Sequence, residues 1–130
     1  MGQSVKKKIL LIDDEREFCE LIKTNLQRSG YDVTFALRGQ EGLQLARKDR
    51  PDMILLDIMM PDMDGFAVLK SLKTDEATVA IPVVMVSART DDDAKLRSMS
   101  LYNEEYITKP VDLAQLRNCI AKIFACKDGA

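Results

Sequence analysis

Met53-Ile54-Leu55-Leu56-Asp57 is the stretch that decides the fold. Four apolar residues in a row, without polar alternation, read as a strand buried on both faces. A carboxylate directly ends the run, where a charge is seldom placed for solubility. The same pattern recurs outward along the chain. Ile9-Leu10-Leu11-Ile12 ends in Asp13 and Asp14, Val83-Val84-Met85-Val86 in Ser87, and Glu105-Tyr106-Ile107-Thr108 in Lys109-Pro110. If these segments are parallel strands, their carboxyl ends share one sheet edge, where open α/β folds bind ligands. Three carboxylates, a hydroxyl and an ammonium then converge on one small volume. That constellation suits phosphoryl transfer.

The intervening segments read as helices. After the first run, Phe18, Leu21, Ile22, Asn25 and Leu26 recur at 3-4 spacing on one face, with Asp14 and Glu17 spaced as a capping box and Gly30 as the stop. Tyr31 to Ala36 alternates and is β-branched, the expected second strand. Gly39 to Lys48 is a short helix weakened by Gly42. Pro51 opens the third strand. Pro61-Asp62-Met63-Asp64-Gly65 is turn chemistry ahead of a helix over Phe66 to Lys73. Pro82 begins the fourth strand, a permitted place for proline. Thr90 and the three aspartates after it favour a fourth helix by complementing its macrodipole. The fifth strand, Tyr106 to Thr108, is short and suits an edge. Leu113, Leu116, Ile120, Ile123 and Phe124 form the stripe of a last helix that Asp112 and Gln115 can cap.

Composition sets the outer bounds. At 130 residues, 46% apolar and 31% charged, the chain fits one soluble domain, 1-130, with its core over about 6-124. The net charge of -2 offers no basic footprint for direct nucleic-acid binding. No apolar run is long enough for a membrane span, and the first residues do not read as a signal peptide. Cys19, Cys119 and Cys126 lack CxxC spacing and are expected to be reduced, as in a cytoplasmic protein. The absence of histidine excludes imidazole catalysis and histidine metal ligation.

The strand-end residues carry the chemistry. Asp13 and Asp14 beside Asp57 repel one another unless a cation intervenes. Hard oxygen donors favour Mg²⁺, which needs only one or two carboxylates besides phosphate oxygens and water. Asp57 could attack phosphorus and form an acyl phosphate, Lys109 could pair with the incoming oxygens, and Ser87 could donate a hydrogen bond to them.

From Lys6 to Phe124 the chain resembles the receiver domains of two-component response regulators, a family that includes the chemotaxis regulator. The motifs are Ile12-Asp13-Asp14, Leu56-Asp57-Ile58-Met59-Met60-Pro61-Asp62-Met63-Asp64-Gly65, Val86-Ser87-Ala88 and Tyr106-Ile107-Thr108-Lys109-Pro110. The resemblance implies a doubly wound (βα)5 flavodoxin-like fold with strand order 2-1-3-4-5. It implies Asp57 as phospho-acceptor, and Mg²⁺ held by Asp13, Asp14, Asp57 and the backbone carbonyl of Met59. Lys109 would contact the phosphoryl group, while Ser87 and Tyr106 would be the switch hydroxyl and switch aromatic. Gly65 would permit the turn after the acceptor, and Lys109-Pro110 would be a cis peptide. The implied partners are a sensor histidine kinase or histidine phosphotransfer domain, and a downstream effector on the face of the fourth helix, fifth strand and last helix.

The chain departs from the family pattern at two places. Tyr102-Asn103 stands where a Gly-Ala pair is usual, and Val111 where an aromatic commonly follows Lys-Pro. Both lie near the expected effector surface. A rival reading is a Mg²⁺-dependent phosphohydrolase with an aspartyl nucleophile. That class usually needs a second aspartate two residues on, where this chain has Met59, which cannot transfer protons. A degenerate, scaffold-only receiver is disfavoured because every chemical position holds a competent residue. The chain is thus expected to be a regulatory module limited to self-phosphorylation and autodephosphorylation, whether whole or as the receiver of a larger regulator or hybrid kinase.

Overall fold

The computed structural model describes residues 6–61, 64–88 and 105–129. Its elements run β1 (Lys8–Ile12), α1 (Arg16–Arg28), β2 (Asp32–Ala36), α2 (Gly39–Asp49), β3 (Met53–Leu56), α3 (Gly65–Thr74), β4 (Val83–Ser87), β5 (Tyr106–Thr108) and a C-terminal helix (Leu113–Gly129). The five strands form one parallel sheet in the order β2-β1-β3-β4-β5, so β5 is an edge, as its shortness suggested. The expected fourth helix after Thr90, and the Tyr102-Asn103 departure, lie outside the described residues.

The unbroken apolar runs are explained by burial on both sheet faces. Leu10, Ile12, Ile54, Leu56, Val83 and Met85 point to one side and pack with residues of α2 and α3, among them Leu43, Phe66, Leu69 and Leu72. Their neighbours Ile9, Leu11, Met53, Leu55, Val84 and Val86 point to the other, against Cys19, Ile22 and Leu26 of α1 and Leu116, Ile120 and Phe124 of the C-terminal helix. Each such side chain, taken fully out of water, contributes about 1.5–3 kcal/mol. Val111 packs partly against the second cluster.

Two details of α1 differ from expectation. The capping box on Asp14 and Glu17 does not form. Asp13 Oδ1 accepts the N–H of Glu15 at 2.9 Å, so the helix opens one residue later, with Glu15 at the N-cap and making no side-chain cap bond. Leu21, expected on the buried stripe, is 55% exposed. Adjacent residues diverge by about 100° on a helix, and Ile22 faces inward with Cys19 and Leu26, leaving Leu21 outside.

The remaining boundaries shift by a residue or two. β2 opens at Asp32, β3 and β4 begin just after Pro51 and Pro82, and α2 ends at Asp49. Gly30, with φ +97°, follows the Ser29 C-cap and donates its N–H to the Gln27 carbonyl, stopping α1 as anticipated. Gly42 is more than a weak helix residue: a Cβ there would lie 2.6 Å from Ile12 Cδ1, so its smallness lets α2 approach β1. Asp112 Oδ1 accepts the N–H groups of Ala114 and Gln115, capping the C-terminal helix. No helix among the described residues is long and apolar enough to cross a membrane.

Candidate functional site

Parallel pairing creates the site. Ile12 is in register with Leu56 across β1 and β3. Just beyond, the Asp57 N–H donates to the Ile12 carbonyl at 2.9 Å, and the Asp13 N–H to the Ala36 carbonyl at 3.1 Å. The backbone therefore fixes Asp13 and Asp57 side by side at the carboxyl edge. One oxygen from each of Asp13, Asp14 and Asp57 lies within 4.8 Å of the others. Asp13 and Asp57 are buried, and Asp14 is exposed at the mouth.

Lys109 enters this cluster from just beyond the end of β5 and is joined to Pro110 by a cis peptide bond. Its Nζ donates to Asp13 Oδ2 at 2.8 Å and to Glu15 Oε1 at 2.7 Å, and stands 3.9 Å from Asp57 Oδ2. The ring of Phe18 lies below the ammonium, 4.2 Å to its centroid. The sequence places Phe18 only on the stripe of the first helix and gives Glu15 no part in the site. They meet Lys109 across a separation of over ninety residues, and no local pattern announces such a contact.

Asp57 is held from behind. Its Oδ1 accepts the Met59 N–H at 3.1 Å, and Met59 forms an antiparallel bridge with Asp64. The Met59 side chain is exposed beside the acid, apolar and without a transferable proton. Asp64 Oδ1 caps α3 by accepting the Phe66 N–H at 2.9 Å. Ser87 closes β4 opposite Thr108, which places its backbone at the same edge; its side chain lies outside the described part. Tyr106, in register with Met85, is half-buried against the cluster over α2 and α3.

The electrostatics leave the site short of positive charge. Burial raises the Asp13 carboxyl above its usual range, despite the Lys109 ammonium and the Glu15 N–H that pull it down. Burial alone would depress Lys109, but its hydrogen bonds to Asp13 and Glu15 outweigh this and raise it. The lysine is thus firmly cationic while the buried acid is not fully compensated. Clustered hard oxygen donors with a residual negative charge fit a small divalent cation, Mg²⁺ before softer metals.

The comparisons with known proteins point the same way. The response regulator receiver domain model matches residues 9–121. The chain belongs to that family. It is 40% identical over 106 residues to the alkaline phosphatase synthesis transcriptional regulatory protein PhoP of Bacillus subtilis, covering 82% of this chain and 43% of that protein. Protein PilH of Pseudomonas aeruginosa is 34% identical over 118 residues, 91% of this chain and 98% of its own. Among solved structures, Vibrio cholerae chemotaxis protein CheY4 superimposes with a TM-score of 0.86 at 27% identity, covering 92% of this chain and 99% of that one. The chain spans about half the length of the first curated relatives it matches. As a receiver with the doubly wound flavodoxin-like fold, it is a module of phosphorylation-dependent signalling.

Proposed function

We propose that this receiver takes a phosphoryl group onto Asp57 and uses it to switch a partner-binding surface. An oxygen of the Asp57 carboxylate attacks phosphorus, and the phosphorus–nitrogen bond to the donor histidine breaks. The leaving imidazole keeps the electron pair. The observation that carries the reading is one geometry: a buried acceptor acid beside a second buried acid, with a lysine ammonium 3.9 Å away. Asp13, Asp14, Asp57 and the Met59 carbonyl would hold Mg²⁺, which when bound neutralises charge on the transferring phosphoryl oxygens. Lys109 pairs with those oxygens, while the Met59 N–H keeps Asp57 oriented.

Once phosphorylated, the site presents new acceptor oxygens near the end of β4, and Ser87 is the hydroxyl that moves to them. Tyr106 then turns further into the space vacated, withdrawing its ring from the surface around β5. That surface continues from Glu105 onto the C-terminal helix, where Gln115, Asn118 and Lys122 border a mostly apolar concavity lined also by Cys119 and Ile123, a character suited to an effector protein. The donor is a sensor histidine kinase or phosphotransfer domain. The setting is the cytoplasm, and chemistry stops at self-phosphorylation and autodephosphorylation. With a net charge of -2, direct nucleic-acid contact by this chain is disfavoured. Relatives such as PhoP are about twice as long; the alternative reading is that this receiver is one part of a larger regulator or hybrid kinase.

Acetyl phosphate with Mg²⁺ should add one phosphoryl mass to the wild type and none to Asp57→Asn. Equal labelling of both would remove Asp57 as the acceptor.

A further inference from the structure

We infer that Glu15 is a positioning residue that holds the Lys109 ammonium off the acceptor, so that its charge slows the loading of Asp57. This rests on the reading of Asp57 as phospho-acceptor. Lys109 Nζ lies 2.7 Å from Glu15 Oε1 and 2.8 Å from Asp13 Oδ2, yet 3.9 Å from Asp57 Oδ2. Glu15 stands at the N-cap of α1 without using its side chain to cap the helix. Its carboxylate goes to the lysine instead. The Phe18 ring closes a third side, 4.2 Å from the ammonium to its centroid.

The lysine is therefore parked between Asp13, Glu15 and Phe18. An arriving phosphoryl group brings about two negative charges and needs the ammonium on its own oxygens. Asp13 is buried and already belongs to the carboxylate cluster, so it stays near the lysine throughout. The Glu15 side chain is 62% exposed, and its contact is the one that yields. Breaking an exposed ion pair sets the size of the effect, roughly two- to fivefold in rate or affinity. Salt screens exposed pairs, so the effect shrinks as ionic strength rises.

The test compares wild type, Glu15→Gln and Glu17→Gln. The last removes the same charge from the first turn of α1, away from Lys109. Acetyl phosphate labelling is followed by intact mass at low and high salt, and beryllofluoride affinity by NMR titration. Metal-free spectra then give the ring-current shift of the Lys109 ε-methylene over Phe18. Glu15→Gln should load about two- to fivefold faster and bind beryllofluoride correspondingly tighter at low salt. The advantage should fall at high salt, the ε-methylene resonance should move without any metal, and Glu17→Gln should match wild type. Unchanged loading in Glu15→Gln with normal wild-type labelling overturns the inference alone, as does an equal gain in Glu17→Gln. A wild type that takes no phosphoryl group on Asp57 overturns the underlying reading instead.

Discussion

Gly65 rests directly on the backbone of Ile58. A Cβ at Gly65 would stand 2.3 Å from Ile58 Cα and 2.6 Å from the Asp57 carbonyl oxygen, and the Gly65 N–H donates to the Ile58 carbonyl at 2.8 Å. The start of α3 is thereby stapled to the segment carrying Asp57. Backbone atoms cannot rotate out of the way as a side chain can. Gly65→Ala should therefore destabilise the fold by about 2–3 kcal/mol and slow acetyl phosphate labelling at Asp57. Urea denaturation and intact-mass kinetics read the two effects. A variant with wild-type stability would show that the close approach is not a constraint.

Gly42 poses a similar problem with a softer neighbour. Replacing an interior helical glycine by alanine ordinarily helps by up to about 1 kcal/mol, but here the new methyl meets Ile12 Cδ1 at 2.6 Å and Cγ1 at 2.7 Å. Ile12 is fully buried and immediately precedes Asp13, so it has little room to move. Gly42→Ala should lower stability, and Ile12→Val, which removes Cδ1, should partly offset that loss. Denaturant midpoints of the two single variants and the double variant give the coupling. Strict additivity would mean the two side chains do not collide.

These glycines also mark where the sequence stopped being legible. Met53 to Leu56 and Ile9 to Ile12 announced buried strands because a parallel sheet covered on both faces requires continuous apolar runs. The convergence of Asp13, Asp14 and Asp57 at one sheet edge followed from that single inference. What could not be read were contacts made in three dimensions. Glu15 and Phe18 reach Lys109 only because β5 ends beside the start of α1, and Gly42 looked like a defect because Ile12 is thirty residues away. The start of α1 differs for a local reason: Asp13, a member of the carboxylate cluster, also binds the Glu15 N–H and displaces the expected cap on Asp14. Leu21 and Ile22, adjacent and both apolar, were both expected on the buried stripe, but packing chose Ile22.

The thiols should differ sharply in reactivity. Cys126 is exposed, Cys119 half-buried and Cys19 fully buried. Burial, reinforced by the nearby Asp13 charge, pushes the Cys19 thiol up to about 12, and its Sγ lies 3.4 Å from the Asp13 carbonyl as a donor. Burial also raises Cys119. Because thiolate is the nucleophile, a chromogenic disulfide at pH 8 should titrate Cys126 quickly, Cys119 slowly and Cys19 only after denaturation. Prompt reaction of three thiols in the native protein would contradict the buried position of Cys19.

Mg²⁺ should stabilise the fold in a pH-dependent way. A cation that binds the folded carboxylates and not the unfolded chain adds RT ln(1 + [L]/Kd), about 1.4 kcal/mol at ten times Kd, or roughly 5 °C in melting temperature. The sign with pH follows from Asp13, whose folded carboxyl is raised above its ordinary value by burial. In metal-free protein the folded state then holds its proton longer than the unfolded chain does, so this group's contribution falls as pH climbs through the window between the two values. Protons and Mg²⁺ compete for the same oxygens, so the ion's stabilisation is full at neutral pH and fades as pH drops into that window. Asp14→Ala removes an exposed member of the cluster and should shrink the shift at neutral pH without disturbing the core. Thermal unfolding with and without millimolar-range Mg²⁺, at neutral and acidic pH, makes the comparison. A wild-type melting temperature indifferent to Mg²⁺ at neutral pH, or a shift that grows on acidification, would be incompatible with a cation seated among Asp13, Asp14 and Asp57.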